Sequence, residues 1–125
     1  NCFSTVRNWM RKNNYLVKED IQRYNLIGKL ILFGVRGSVS ESRLRFLIDM
    51  DPVPLSLPCN PQRGNWYPMH WAAIQGDIQA FSLLVKVGMQ YFPDKLGFVF
   101  CDGTTRSDNG TLFRGTPFEL ACDKY

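Results

Sequence analysis

The chain has 125 residues, 45% hydrophobic and 21% charged, with a net charge of +4. This length suits one domain with its own core, and the composition is that of a globular rather than a disordered protein. Its most apolar run covers residues 26–35 and includes Lys29. Since a spanning helix needs about 20 apolar residues, no membrane span is expected.

Positive charge is concentrated at the start of the chain. Residues 1–36 hold seven basic and two acidic side chains, a net of +5, whereas the other 89 residues hold eight basic and nine acidic ones. A basic region of this kind can contact nucleic acid or an anionic surface. The simpler interpretation, which we favour, is the solvated side of one or two helices, so nucleic acid is an unlikely partner.

Helices dominate the predicted elements of the first half. Apolar residues at helical spacing predict a helix over about 3–10, ended by Asn13-Asn14, and a second helix from Lys18 or Glu19 to Val35. A capping box at residues 38–41 predicts the start of a third helix, which Pro52 stops. Residues 52–64 contain four prolines and are expected to form an extended, stiff connector.

The most informative segment follows the connector. It reads Tyr-Pro-Met-His-Trp-Ala-Ala-Ile-Gln-Gly-Asp over residues 67–77, then Phe81, Leu83-Leu84 and Gly88. The segment resembles the ankyrin repeat, whose pattern is Thr-Pro-Leu-His-x-Ala-Ala, a glycine turn, Leu-Leu and a final glycine. The match covers about 23 consecutive positions with gaps of the right length.

Each matched position has a physical reason in a pair of packed helices. Pro68 suits the first turn of a helix, where its missing N–H is not needed. The resemblance implies that His70 bonds neighbouring backbone, that Gly76 forms the turn between the helices and that Gly88 closes the second one. The remaining motif residues are small or apolar and would form the helix–helix contact: Ala72, Ala73, Leu83 and Leu84.

A second occurrence of the motif begins near the end of the chain. Gly115, Thr116, Pro117 and Ala121 repeat its opening, and the chain stops at Tyr125, inside the predicted helix. With Asn1 as the first residue, both ends look cut, and we suspect a fragment of a longer protein. The prolines 68 and 117 lie 49 residues apart, against about 33 in ankyrin repeats. The insertion is expected to form a β-hairpin, with strands at 98–101 and 111–113.

A weaker copy lies upstream, where residues 44–48 align with 81–85. The predicted organisation is therefore an N-terminal helical segment over 1–17, a degenerate first repeat with its proline-rich connector over 18–64, a repeat with a hairpin insertion over 65–113, and a truncated repeat over 114–125. Segments at 15–21, 46–49 and 115–122 also resemble divergent ankyrin proteins multiplied in some unicellular algae. The fold class expected is all-α: a solenoid of two to three stacked helix pairs with an elongated hairpin near 98–113.

Two positions depart from the family pattern. Tyr67 replaces the usual threonine, so the hydroxyl that caps the helix is missing, and either Asn65 replaces it or the cap is lost. Glu119 replaces the usual histidine in the last repeat. Losing one cap costs about 1 kcal/mol, which stacking between repeats can offset.

The sequence gives little support for catalysis. His70 is the one histidine, and a Ser-His or Cys-His site would have to use it inside a packed repeat. The four cysteines, at positions 2, 59, 101 and 122, do not form a zinc-binding pattern, and reduced thiols without a signal peptide suit an intracellular protein, cytoplasmic or nuclear. Neither an enzyme nor a metal or other cofactor is expected.

The resemblance instead implies a non-catalytic scaffold or adaptor segment that binds an unidentified protein. Ankyrin proteins meet partners through the loops that project between helix pairs and through the exposed side of the first helices. Trp66 is expected to be partly exposed there and to anchor the partner. Asn65, Ile74 and Gln75 are expected on the same side, with Arg63 at its rim. The alternative is binding of nucleic acid or an anionic surface by residues 1–36.

Overall fold

The computed structural model describes residues 2–13, 17–33, 41–75 and 78–124. Within these ranges the protein is mostly helical and has one two-stranded antiparallel sheet. The predicted turn at Gly76, the capping box residues before Glu41, and Tyr125 lie outside the described residues. The helices are α1 (Cys2–Lys12), α2 (Lys18–Arg23), α3 (Leu26–Phe33), α4 (Glu41–Met50), α5 (Pro68–Gln75), α6 (Ile78–Tyr91) and α7 (Pro117–Lys124), and the strands are β1 (Gly103–Arg106) and β2 (Leu112–Gly115).

The single helix predicted from residue 18 to 35 is wrong in one respect, because it is broken between α2 and α3. Asn25 adopts a left-handed conformation with φ of 50°, which asparagine tolerates better than most residues. Its side-chain amide donates a hydrogen bond of 3.1 Å to the carbonyl of Cys59. The break therefore ties the start of α3 to the connector after α4.

The connector is less extended than its prolines predict. α4 ends at Met50, before Pro52 as expected, and a short 3-10 helix follows at Val53–Ser56. The carboxylate of Asp51 is fully buried and accepts hydrogen bonds from the amide of Gln22, at 2.8 Å, and from the backbone N–H of Val53, at 3.2 Å. These bonds satisfy the buried charge and fix the connector against α2.

Helix α5 is the centre of the packing. It contacts α3, α6 and α7, while α4 contacts α3 and α6. Ala72 and Ala73 are 1% and 0% exposed. Their small side chains form the face of α5 that contacts its neighbours, as predicted. The core between these helices consists of aliphatic residues from α2, α3, α4 and α6, among them Ile21, Ile27, Ile31, Leu44, Ile48, Leu83, Leu84 and Val87.

Gly88 does not close α6, which continues for three more residues to Tyr91. The glycine is needed for a different reason, because the backbone of Gly97 passes directly over it. A Cβ atom on Gly88 would lie 2.9 Å from the Cα of Gly97, which is closer than real Cβ contacts. The two glycines thus let the segment after α6 pack back onto that helix.

A hairpin forms, but the predicted first strand at 98–101 is wrong, because β1 lies within the stretch expected to be the turn. β1 pairs with β2 in a register that opposes Gly103 to Gly115 and Arg106 to Leu112. Residues 96–98 have successive φ values of 50°, 64° and 67°, which no extended strand can contain. This conformation turns Phe98 into the protein, where it is 7% exposed and its ring centroid lies 5.0 Å from that of Phe92.

Candidate functional site

The hairpin is widened by the segment that precedes α5. The N–H of Asn65 donates to the carbonyl of Thr104 at 2.9 Å, and the N–H of Arg106 donates to the carbonyl of Arg63 at 3.0 Å. The side-chain oxygen of Asn65 also accepts from the N–H of Thr104, at 2.8 Å. Residues 63–65 therefore run alongside β1, joined to it by these hydrogen bonds and by an isolated β-bridge at Gly64, outside the two-stranded sheet. We call this unit, residues 63–65 and 103–115, the finger.

Gly64 is required for this pairing. It faces Thr105 in a β-bridge, and its φ of 155° lies in a region that L side chains rarely adopt. A Cβ atom at this position would lie 2.1 Å from the carbonyl oxygen of Thr104. Any side chain here would separate the connector from the hairpin.

His70 joins the finger to α5. Its Nδ1 accepts a hydrogen bond from the backbone N–H of Tyr67 at 3.1 Å, which leaves the proton on Nε2. Nε2 donates to the carbonyl of Cys101 at 2.9 Å, just before β1. These are backbone hydrogen bonds of the kind expected from the motif.

Burial holds this histidine in its neutral form. The side chain is fully buried, and desolvation lowers the pKa of His70 to about 4, although the Cys101 carbonyl and the charge of Asp102 act in the opposite direction. Because both ring nitrogens have partners and the ring is inaccessible, it is poorly placed to exchange protons with a substrate. The arrangement suits a structural role.

The prediction that Trp66 is partly exposed is wrong. Its side chain is 1% exposed, stacks on the imidazole of His70 with ring centroids 5.6 Å apart, and meets the indole of Trp71 edge-on at 5.0 Å. The cause is the pairing of residues 63–65 with β1, which directs the next side chain between the hairpin and α5. Gly103 leaves the space, since a Cβ there would be 2.9 Å from the indole ring.

The start of α5 is capped, but not by Asn65 as one of the two expectations had it. Asn65 uses its side-chain oxygen on Thr104, not on the helix. Instead, the bond from Tyr67 N–H to His70 supplies one half of a capping box, the half in which the third helical residue bonds back to the cap residue. The bond to His70 thus offsets the absence of a capping hydroxyl at position 67.

The other predicted partner-binding residues do not converge on one spot. Arg63 forms an ion pair with Asp108 and donates to the carbonyl of Arg106 at 3.4 Å, at the tip of the finger. Gln75 is exposed and Ile74 half-buried at the far end of α5, about 10 Å along the helix axis from its start. Trp71, which lies one turn before Gln75, is half-buried and shares that side of α5.

Sequence reasoning missed exposed apolar side chains on β2 and at the start of α7. Phe118 is 50% exposed and touches Phe100, a residue before β1 that is 56% exposed, with ring centroids 5.3 Å apart. Leu112 and Phe113 are 53% and 44% exposed on β2. The sequence signal at Leu112 and Phe113 is an apolar pair beside a polar turn. That signal predicts a strand but not the exposure of its side chains.

The described ranges contain neither a metal-binding cluster nor a membrane-spanning helix. No cluster of three or more metal-ligating side chains is present there. No helix within the described residues has both the length and the hydrophobicity needed to cross a bilayer.

Comparisons with known proteins give no relatives. No family model matches the chain, and neither a curated protein nor a solved structure is significantly similar to it.

Proposed function

We propose that the chain is a non-catalytic protein-interaction module built as a segment of an ankyrin-type solenoid. The observation that carries the proposal is the order of packing. The helices that open the three suggested repeats pack in series, α3 against α5 and α5 against α7, while α4 packs against α6 as a second row. Serial contact between neighbouring units is the defining property of repeat proteins.

The motif copies support the same interpretation. Both copies begin their helices at the proline, Pro68 in α5 and Pro117 in α7, and both prolines are fully buried. The finger lies between α6 and α7, where ankyrin repeats carry their projecting loops. Its greater length accounts for the spacing of 49 residues between the prolines.

The partner surface that we propose combines the finger with the outer side of α5. Trp66 is not part of this surface, because its buried indole cannot contact a partner. Trp71 is the available aromatic on α5, beside Ile74 and Gln75, and Leu112 and Phe113 are the apolar side chains of β2. Aromatic and apolar residues surrounded by polar ones are the composition typical of binding hot spots.

An intracellular location fits the thiol chemistry. Cys59, Cys101 and Cys122 are free, and burial raises the pKa of Cys59 to about 12, so its thiol is unreactive. Free thiols persist in the reducing cytosol and nucleus. The neutral, enclosed His70 favours the non-catalytic assignment.

The test compares two exposed apolar residues of nearly equal exposure. Leu112→Asp changes the finger, whereas Ile78→Asp, at a residue 51% exposed, makes the same chemical change on α6. The immobilised wild-type chain should retain specific proteins from a cell extract at physiological salt. Leu112→Asp should reduce their recovery at least about tenfold, and Ile78→Asp should leave it unchanged. Equal recovery with both variants, measured by quantitative mass spectrometry, would contradict the proposal.

A second candidate is contact with nucleic acid or an anionic surface through residues 1–36. The observation that favours it is the exposure of four of the basic side chains there, Lys12, Lys18, Arg23 and Lys29. Binding of this kind depends steeply on salt, because each neutralised phosphate releases counterions. Retention of generic duplex DNA at low salt, lost between 50 and about 200 mM, would support this candidate over the first.

A further inference from the structure

A cleft of about 400 Å³ lies between α1 and the helix pair α3–α4, away from the finger and α5. From α3 and α4 it receives residues at positions i, i+3 and i+4, so one continuous side of each helix faces it. α1 contributes residues one turn apart. The apolar part of the lining comprises Val6, Met10, Leu26, Leu30, Phe46 and Leu47.

The remaining lining residues are all basic. They are Arg7 on α1, Lys29 on α3 and Arg43 on α4, one from each helix, and none of the described side chains that line the cleft is acidic. Lys29 and Arg43 are exposed, whereas the guanidinium of Arg7 lies 5.2 Å from the centroid of the Phe46 ring. The cleft thus joins an apolar interior to a positively charged edge.

This combination selects the chemistry of a ligand. Pockets of about 300–1,000 Å³ with mostly apolar walls and a few polar groups are typical of small-molecule sites. The apolar walls stabilise a hydrocarbon chain by removing it from water, at about 0.8 kcal/mol for each buried CH₂ group. The basic edge attracts an anion and disfavours a cation, because every charged residue of the described lining is basic.

We infer that the cleft between α1, α3 and α4 binds an anionic amphiphile, with its hydrocarbon chain among the apolar residues and its carboxylate or phosphate at Lys29 and Arg43. This site is separate from the proposed partner surface, and it would give the basic N-terminal region a specific ligand. A cleft of about 400 Å³ between three helices suits one narrow chain better than a protein surface, which needs about 800 Å² on each partner.

The first experiment tests the charge preference with three amphiphiles of equal chain length, below their micellar concentrations. Isothermal titration of the whole chain should detect binding of dodecanoate and of dodecyl phosphate. Dodecyltrimethylammonium should bind at least about tenfold more weakly. Equal binding of the anions and the cation, or no binding of either anion, overturns the proposal.

Matched variants test the location. Lys29→Glu combined with Arg43→Glu should weaken dodecanoate binding at least about tenfold, whereas Lys86→Glu combined with Lys95→Glu, two exposed basic residues outside the cleft, should not. Val6→Asp places a charge in the apolar lining and should abolish binding, while Asn8→Asp adds the same charge on an exposed position of α1 that does not line the cleft. Circular dichroism establishes that each variant is folded. Dodecanoate binding that survives Val6→Asp in a folded chain overturns the assignment.

Vesicles identify the source of the ligand. Flotation with phosphatidylglycerol vesicles that Val6→Asp abolishes, together with dodecanoate binding, would identify a membrane lipid as the source. Dodecanoate binding without flotation would identify a free amphiphile. Flotation that persists in Val6→Asp, in a chain that binds no free anion, is adsorption by charge alone and counts against the site.

Discussion

The two copies of the motif form helices in very different surroundings. In α5 the second helical residue, Met69, is 4% exposed, whereas its counterpart in α7, Phe118, is 50% exposed. Ala73 is fully buried, but the corresponding Cys122 is exposed. α5 is packed between α3 and α7, whereas among the described helices α7 packs chiefly against α5. The same local pattern therefore builds a central helix at one site and a peripheral one at the other.

The two helices also begin with opposite halves of a capping box. In α5 the side chain of the third helical residue, His70, accepts from the N–H of the cap residue Tyr67. In α7 the side chain of the cap residue, Thr116, accepts from the N–H of the third helical residue, Glu119, at 3.1 Å. Both solutions satisfy one backbone group at the helix start. The motif thus specifies a capped start, and the residue that fills either position decides which bond forms.

The largest difference is expected from truncating an aromatic residue in each region. Trp66→Ala removes a fully buried side chain packed on α5 and should lower the free energy of unfolding by about 3–5 kcal/mol. Phe118→Ala, on α7, should lower it by less than about 1 kcal/mol, because half of that side chain is already in water. Urea denaturation measures both values. A loss below about 1 kcal/mol for Trp66→Ala would mean that the indole is not part of the core.

The second difference concerns pH, because α7 has no histidine. The folded state lowers the pKa of His70 to about 4, below the 6.5 of an unfolded histidine, so the unfolded chain binds the proton first as pH falls. Stability from this group is therefore complete above about pH 6.5 and is lost progressively between 6.5 and 4. We expect a loss of about 2 kcal/mol after allowing for solvent screening.

The control for this pH effect is His70→Gln, which removes the titrating ring. The variant is expected to be less stable at pH 7, but its stability should change much less between pH 6.5 and 5, where few carboxylates titrate. Unfolding curves at a series of pH values test the difference. Parallel profiles for the two proteins would rule out His70 as the group responsible.

A third difference is expected from enlarging equivalent positions. Ala73→Leu adds three carbon atoms where α5 meets its neighbours and should cost about 1–3 kcal/mol by overpacking. Cys122→Leu places the same side chain on the exposed side of α7 and should change stability by no more than about 0.5 kcal/mol. Thermal unfolding monitored by circular dichroism compares them. Equal effects would mean that the two copies are equally enclosed in solution.

The smallest expected effect tests the caps. Thr116→Ala removes the side-chain acceptor at the start of α7 and should cost about 1 kcal/mol. Tyr67→Thr introduces the threonine typical of ankyrin repeats at the start of α5, yet it should gain little, because His70 already bonds the cap residue and the ring of Tyr67 packs 5.3 Å from that of Phe98. A clear stabilisation by Tyr67→Thr, in chemical denaturation, would indicate that the cap formed by His70 is ineffective.

Local sequence patterns predicted the helices well wherever neighbouring residues decide the conformation. Pro68 and Pro117 mark the first residues of α5 and α7, and α4 ends two residues before Pro52, because proline fixes φ and lacks an N–H. The small side chains on one face of α5, Ala72 and Ala73, were likewise evident from their spacing in the sequence. These features depend on residues within one or two turns of each other.

Several of the errors involve residues that only the fold brings together. The break at Asn25 depends on the carbonyl of Cys59, and the need for glycine at position 88 depends on the backbone of Gly97. Trp66 precedes a motif helix and is predicted to be exposed in a projecting loop, yet pairing of residues 63–65 with β1 buries it. Hydrophobic periodicity depends on residues close together in the sequence, so it cannot predict that the connector pairs with β1.

What the sequence determined by itself is therefore the helical class, the starts of the motif helices and the presence of a hairpin between them. Tertiary structure alone decided which aromatic side chains are buried, where the finger is anchored and that a basic, apolar cleft lies beside α1. The physical reason is that backbone conformation is set largely by local sterics and hydrogen bonding, whereas burial depends on which surfaces meet. That meeting joins residues as distant as His70 and Cys101, or Val6 and Leu47, which no local pattern relates.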